Sequence, residues 1–462
     1  MPPHRPPAPR PAGDVVTALR VLLQRRTDVL QAFSRRSYEV EMGRQRLRGR
    51  SIYIVNDPRI ARDLMVDRVE RFPKASLFSE VLAPLVGEGA FVANGEPWRR
   101  RRDAIRPAFS HIALRAAFPH MEAAVDTACA RMEALADRGE AFELDAEMSH
   151  AAADVIFRTM FSEPIDTAAA QDVYRAFARF QLLSDQISPR RLIFASRPLP
   201  ATRMREVERL ARSIRDLLGA RVDARRAALE TGAERPRDMV QAIMDARDAD
   251  TGDPLGREAL IDELAVFFMA GHDTTASTLT WAWFMLSRQP DAAARLRDEY
   301  AAASASGPIG FREAQEGLPF ARAVVREALR LYPPIGFLAR SPAAPERVRR
   351  WTVQPGDLVV VSPWTMGRRP AAWPDADRFD PDRFLSEEGA AAGSLAQQPF
   401  GLGPRACPGQ AFAMLESVLM LSRLAGRFEL RPRAPHRVRA AGRVTIRPQR
   451  AVSCRVARWS PR

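Results

Sequence analysis

Lysine is almost absent from this chain: its 70 basic residues include a single lysine, Lys74, and all the others are arginine. The formal net charge of +14 therefore reflects a chain-wide arginine bias, and no helix-turn-helix, zinc or RNA-binding signature accompanies it, so no nucleic-acid partner is expected. Cysteine is scarce too. Cys129, Cys407 and Cys454 lie far apart with no C-x-x-C spacing, which argues against a disulfide framework or a structural zinc site and leaves any working cysteine to act alone. A long apolar run is missing before Ser51, so neither a secretory signal nor a membrane anchor is expected there, and the expected location is cytoplasmic. No Gly/Ser-rich or Pro-rich linker divides two independently patterned halves, and there is no repeat period.

What is present is enough for a large core: 462 residues, 46% of them hydrophobic and 27% charged. Residues 1–13, rich in Pro and Arg at their start, read as a flexible lead-in, and residues 14–462 as a single domain, expected to be monomeric. Residues 50–55 alternate like a strand, and Asp57-Pro58 opens a helix. From 95 to about 230 the pattern is helical, broken near Pro164, Pro189 and residues 198–200. Residues 256–289 read as one long helix ending before Pro290, with Glu258, Asp262 and Glu263 in its first turns, where the helix dipole favours acids. A further helix over 320–331 stops at Tyr332-Pro333-Pro334. Residues 353–361 look like paired strands about the turn Gln354-Pro355-Gly356-Asp357, and 364–394 look irregular. A helix over 408–430 and a β-rich tail over 443–457 complete a mainly α fold with a smaller β region.

The most informative stretch is Phe400-Gly401-Leu402-Gly403-Pro404-Arg405-Ala406-Cys407-Pro408-Gly409, where glycines crowd one cysteine at the start of a helix. Glycine lets the backbone turn tightly and approach the sulfur, and N–H groups near a helix start favour a thiolate. These residues match F-G-x-G-x-R-x-C-x-G at every specified position, and the stretch resembles the haem-binding signature of the cytochrome P-450 superfamily. The resemblance implies a haem b cofactor between the long central helix and the Cys-loop helix, with Cys407 as the iron ligand and Phe400, Gly401 and Gly409 around it. A thiolate ligand suits oxygen activation because it pushes electron density toward the iron.

Three further motifs follow in family order. Ala270-Gly271-His272-Asp273-Thr274-Thr275 sets polar groups between the apolar runs 264–269 and 279–286. It resembles the family's oxygen-binding groove, which implies Ala270 and Gly271 beside the cofactor, Thr274 beside bound dioxygen, and Asp273 linking it to solvent protons as a general-acid relay. The residues alone also allow Thr274 to bond back to its own helix and Asp273 to pair with an arginine. His272 reads as a helix residue facing away. Glu327-Ala328-Leu329-Arg330 matches E-x-x-R, with Arg383 of Pro381-Asp382-Arg383-Phe384 as the implied third member of a structural network. Trp98 and Arg102 match W-x-x-x-R and, with Arg340 and Arg405, are the implied propionate contacts. One departure is Gly367-Arg368, where the family often has His-Arg.

Analogy with the family places an apolar substrate pocket among Phe78, Phe91, Phe267, Ile335 and Phe337 and near a C-terminal hairpin at Arg450, for a terpenoid, steroid, fatty acid or aromatic compound. No flavin or iron–sulfur segment is visible, so NAD(P)H electrons are expected to arrive through a separate ferredoxin and ferredoxin reductase, docking near Arg99, Arg100 and Arg106. The implied reaction is insertion of one atom of O2 into a hydrophobic small molecule, by hydroxylation or epoxidation. A peroxide-driven peroxygenase and a haem-based sensor are the alternatives.

Overall fold

The computed structural model describes residues 6–23, 28–47, 49–76, 79–183, 201–248, 251–387 and 396–460. Phe78, Pro189 and residues 198–200 lie outside these. The body is built mainly from helices, among them α1 (Ser79–Val86), α2 (Gly95–Ile105), α3 (His111–Arg138), α4 (Leu144–Phe161), α5 (Ala168–Leu183), α6 (Ala201–Glu230), α7 (Arg257–Leu286), α8 (Pro319–Leu331) and α9 (Gln410–Arg427). Local chemistry sets several of their ends. The Ser110 hydroxyl accepts from Ala113 N–H to cap α3, and Gly139 ends it with φ +60°.

Helix α7 is the central beam because its sequence is apolar on nearly every side, and a helix without a polar face has to be covered all round. From Leu260 to Leu286 it is buried except at Ala270, Gly271 and Thr274. Trp281 stacks on Tyr332 with ring centroids 3.9 Å apart and donates its indole N–H to Ile446 O (3.0 Å), so one residue packs as an aromatic and satisfies its polar edge.

The smaller β region contains β1 (Met42–Leu47), β2 (Arg50–Val55), β3 (Leu338–Arg340), β4 (Glu346–Val348), β5 (Trp351–Val353), β6 (Leu358–Val361), β7 (Phe428–Pro432), β8 (Ala440–Gly442), β9 (Ile446–Pro448) and β10 (Ser453–Arg458). The first sheet runs β1-β2-β6-β3, with β2 and β6 parallel and the other pairs antiparallel. Here the structure corrects the sequence reading of 353–361. Gly356 does turn the chain with φ +88°, but β5 pairs with β4 whereas β6 joins β2 and β3. The Leu358-Val359-Val360-Val361 run is buried at every position, which suits an inner strand with neighbours on both edges and not the second arm of a two-stranded hairpin. The stretch expected to be irregular holds a short helix, Pro363–Met366, and a 3-10 turn, Pro381–Phe384.

The described part of the opening stretch is tied to the body. Tyr332 donates its hydroxyl to Pro7 O (3.0 Å) and Arg35 its N–H to Ala12 O (2.8 Å).

Candidate functional site

Cys407 sits in a loop that its glycines shape. Gly401 (φ +75°) and Gly403 (φ +67°) occupy the left-handed region, and a Cβ on Gly403 would lie 2.5 Å from Met65 O. Cys407 N–H closes the loop by donating to Phe400 O (2.8 Å). The thiol is accessible to solvent at its own surface yet deeply enclosed by protein, as expected of a group facing an inner cleft. Burial pushes the thiol up, while the Gly409 N–H and the Arg102 guanidinium pull the other way, toward the thiolate.

Opposite demands meet a few residues away. Lys74, Arg340 and Arg405 lie close enough to repel one another, and Arg102 acts on Lys74 as well. Arg340 is only 6% exposed, its Nε has no partner among the described residues, and burial followed by the Arg405 charge pushes it down to about 10. Arg405 lies over the Trp98 ring (5.3 Å to the centroid), and its buried Nε likewise has no partner among the described residues. Burial holds Arg102 below the ordinary arginine range. Glu70 lies 3.7 Å from Arg405, Glu263 acts on Lys74 and Asp103 on Arg102, whereas among the described residues no carboxylate acts on the buried Arg340.

On α7 the three half-buried positions, Ala270, Gly271 and Thr274, break an otherwise covered helix, and Ile335, Leu338 and Phe400 are likewise half-buried. Gly271 has a packing reason as well: a Cβ there would come within 2.8 Å of Ile156 on α4. Phe337 and Phe267 are buried, and Phe91 is partly so. Phe267 meets Phe109 edge to face at 4.9 Å. The enclosed thiol and the buried guanidinium nitrogens that have no partner among the described residues fit an anionic group that takes a sulfur ligand.

The polar residues of α7 have partners within the protein. Thr274 donates its hydroxyl to Ala270 O (2.7 Å), and the helix runs unbroken through this segment. Asp273 accepts from Thr445 Oγ1 (2.6 Å) and from Arg447, whose Nη1 also reaches Ser149 Oγ (3.0 Å). Burial works against ionisation of Asp273, but Arg447, His272 and Thr445 outweigh it and hold the carboxyl below its usual range. His272 is buried among Phe177, Phe268 and Tyr174, its Nδ1 at 2.6 Å from Phe268 O. Glu416 on α9 accepts from Thr275 (3.2 Å) and is pushed well above the carboxylate range by burial. Neither Arg447 nor Glu416 was singled out from sequence.

The E-x-x-R pair is in contact and fully buried. Arg330 Nε meets Glu327 at 2.6 Å, Arg383 lies 3.6 Å from the same carboxylate, and Arg330 donates to Gly367 O, Ala376 O and Arg378 O. The arginines expected to dock a partner are ion-paired at the surface: Arg99 with Glu70 and Glu96, Arg100 with Glu96 and Asp248, and Arg106 with Asp103.

The site thus sets one enclosed thiol close to a cluster of cations, an arrangement suited to an anionic group. The profile described as Cytochrome P450 matches residues 9–452. The chain belongs to the cytochrome P450 family. Pentalenene oxygenase of Streptomyces avermitilis is 29% identical over 89% of each chain. Cyclooctatin synthase of Streptomyces melanosporofaciens is 28% identical, covering 90% of this chain and 87% of that one. Protein LUTEIN DEFICIENT 5, chloroplastic, of Arabidopsis thaliana is 29% identical over 84% of this chain and 67% of its own length. The crystal structure of the cytochrome P450DA heme domain superposes with a TM-score of 0.80 over 99% of both chains at 22% identity, a likeness that speaks for the fold. The protein is a cytochrome P450 monooxygenase, of a family that carries haem and uses O2. Among the described residues no helix is long and apolar enough to cross a membrane.

Proposed function

We propose that Cys407 ligates the iron of haem b, that Arg102, Arg340 and Arg405 with Trp98 hold its propionates, and that Ala270, Gly271 and Thr274 border the oxygen side. The observation that carries this reading is the pair of buried guanidinium nitrogens on Arg340 and Arg405 that have no partner among the described residues, close to an enclosed thiol on which Arg102 acts. A thiolate-bound haem supplies activation of dioxygen and transfer of one oxygen atom to a C–H or C=C bond.

The chain's own residues have three tasks around that chemistry. The Gly409 N–H and the Arg102 charge favour the thiolate that burial opposes. Phe91, Phe267, Ile335 and Phe337 form an apolar wall that excludes water and accepts a hydrophobic molecule. Asp273 moves protons to the Thr274 hydroxyl, which requires the carboxylate to leave Arg447 or Thr445 and the hydroxyl to leave Ala270 O.

The substrate we propose is an alkene or alkenol of terpenoid size. The relatives named pentalenene oxygenase and cyclooctat-9-en-7-ol 5-monooxygenase carry such compounds in their names. Electrons from NAD(P)H arrive through a separate ferredoxin and its reductase. Turnover of an alkene panel by purified protein with NAD(P)H, ferredoxin and reductase should far exceed turnover with hydrogen peroxide alone. The reverse order would make the protein a peroxygenase, and binding without product under both conditions would favour a sensor.

A further inference from the structure

Position 74 is where this arginine-rich chain keeps a lysine, and the contacts there explain the choice. Lys74 Nζ donates to three backbone carbonyls of one loop: Ala90 O (2.6 Å), Phe91 O (3.0 Å) and Ala93 O (3.1 Å). An ammonium offers three donors diverging from one compact atom, whereas a guanidinium spreads its donors over a bulkier planar fork, as Arg330 does in reaching three carbonyls that lie apart. The backbone of Lys74 is bound to the same loop. Its N–H donates to Asn94 Oδ1 (2.9 Å), and Asn94 Nδ2 donates to Lys74 O (3.2 Å).

The loop is gripped from its other side by α7. Ala90 N–H donates to Glu263 Oε1 (2.9 Å) and Glu88 N–H to Asp262 Oδ2 (3.2 Å), so both backbone polar groups of Ala90 end on buried ionisable side chains. Close approach needs small residues: a Cβ on Gly87 would collide with the Asp262 carboxylate, and one on Gly89 would lie 2.9 Å from Val266. The charged groups facing Lys74 are Arg340, Arg405, Arg102 and Glu263; burial and the two nearer arginines push it down to about 7. Those facing Glu263 are Arg101, Asp262 and Lys74. Residues 73–75 run beside β3, where Lys74 bridges Arg340 and Ala75 N–H donates to Ala339 O (3.2 Å).

We infer that Lys74 is a positioning residue that fixes the 87–94 loop over the substrate chamber, tying it to the arginine cluster on one side and meeting the grip of α7 on the other, and thereby helps to set which molecules fit. The inference rests on the proposed reading that Phe91 and Phe267 border that chamber. Two features favour it over a purely structural role. The loop carries Phe91 and leads straight into α2, which bears Trp98 and Arg102, and the Glu263 grip lies one turn of α7 before Phe267.

Hydrogen exchange on haem-loaded Lys74→Met and Lys74→Arg separates the possibilities. Amides 88–93 should exchange faster by about ten-fold or more in both variants while the rest of the chain stays near wild type, as expected for loss of local hydrogen bonds. Soret titration with cyclohexane, naphthalene and lauric acid should show dissociation constants drawing together, and with a turned-over probe KM should rise more than kcat falls. Uniformly faster exchange, or unchanged exchange at 88–93 with weaker haem retention, would overturn the latch and make Lys74 a stability residue or a cofactor-carboxylate contact. Faster loop exchange with unaltered probe discrimination would overturn its role in specificity. If neither lysine variant folds, Asn94→Ala must loosen the same amides or the latch is wrong. Failure of the haem reading itself would appear separately, as a wild-type protein with no thiolate-type spectrum.

Discussion

Asp273 is the residue at which structure and proposed chemistry compete most directly. Its carboxylate is committed to Arg447 and Thr445, yet the relay requires it to pass protons toward Thr274. Asp273→Asn should lower kcat by about 10²–10⁴ while leaving the reduced carbon-monoxide band intact, the range expected for loss of a positioned acid–base group; unchanged turnover would remove the relay. Arg447→Met tests the same point by pH. The folded carboxyl lies below its ordinary value, so its contribution to stability is present above that value and is lost as pH falls through the folded one. Without Arg447 the folded value rises, and both the acid limb of the kcat profile and the onset of acid unfolding should move to higher pH. The Cys407 loop was legible in sequence because six specified residues crowd one short stretch. Arg447 and the Lys74 latch were not, because their partners are set by folding: Arg447 lies 174 positions from Asp273, and Lys74 meets α7 only through a loop whose own pattern is weak.

Among the elements, the helix α8 and the Pro381–Phe384 turn are joined through Glu327, Arg330 and Arg383. All members of the Glu327–Arg330 pair are buried, so Glu327→Ala leaves a guanidinium without its counter-charge and should cost about 3–5 kcal/mol, read as a lower unfolding midpoint and poor haem incorporation. A variant that folds normally and loses only turnover would contradict the structural assignment. Gly403→Ala tests the Cys loop. Its φ of +67° and the nearness of Met65 O predict a cost of roughly 1–3 kcal/mol, seen as faster haem loss on heating. The ends of α7, α8 and α9 were readable to within about three residues because period and flanking Pro or Gly are local signals, whereas the breaks between α2, α3 and α4 were not read within the 95–230 stretch. The pairing of β5 and β6 was misjudged because Gln354-Pro355-Gly356-Asp357 announces a turn but not its partners. The acids at the start of α7 were read as dipole complements. In the structure, Asp262 and Glu263 also anchor the 87–94 loop.

For the molecule as a whole, the net charge of +14 overstates what a partner meets, since Arg99, Arg100 and Arg106 each stand beside a carboxylate. First-electron transfer from an acidic ferredoxin should still slow as ionic strength rises, because the summed field steers the encounter. Stopped-flow reduction across a salt series measures it, and a flat series would count against electrostatic docking. Everything else depends on whether the sulfur of residue 407 holds the iron, and spectroscopy of Cys407→Ala under reduced carbon monoxide asks this directly. The variant should lose the thiolate-type band that the wild type displays and all oxygenase activity; retention of the same band and the same products would contradict the account.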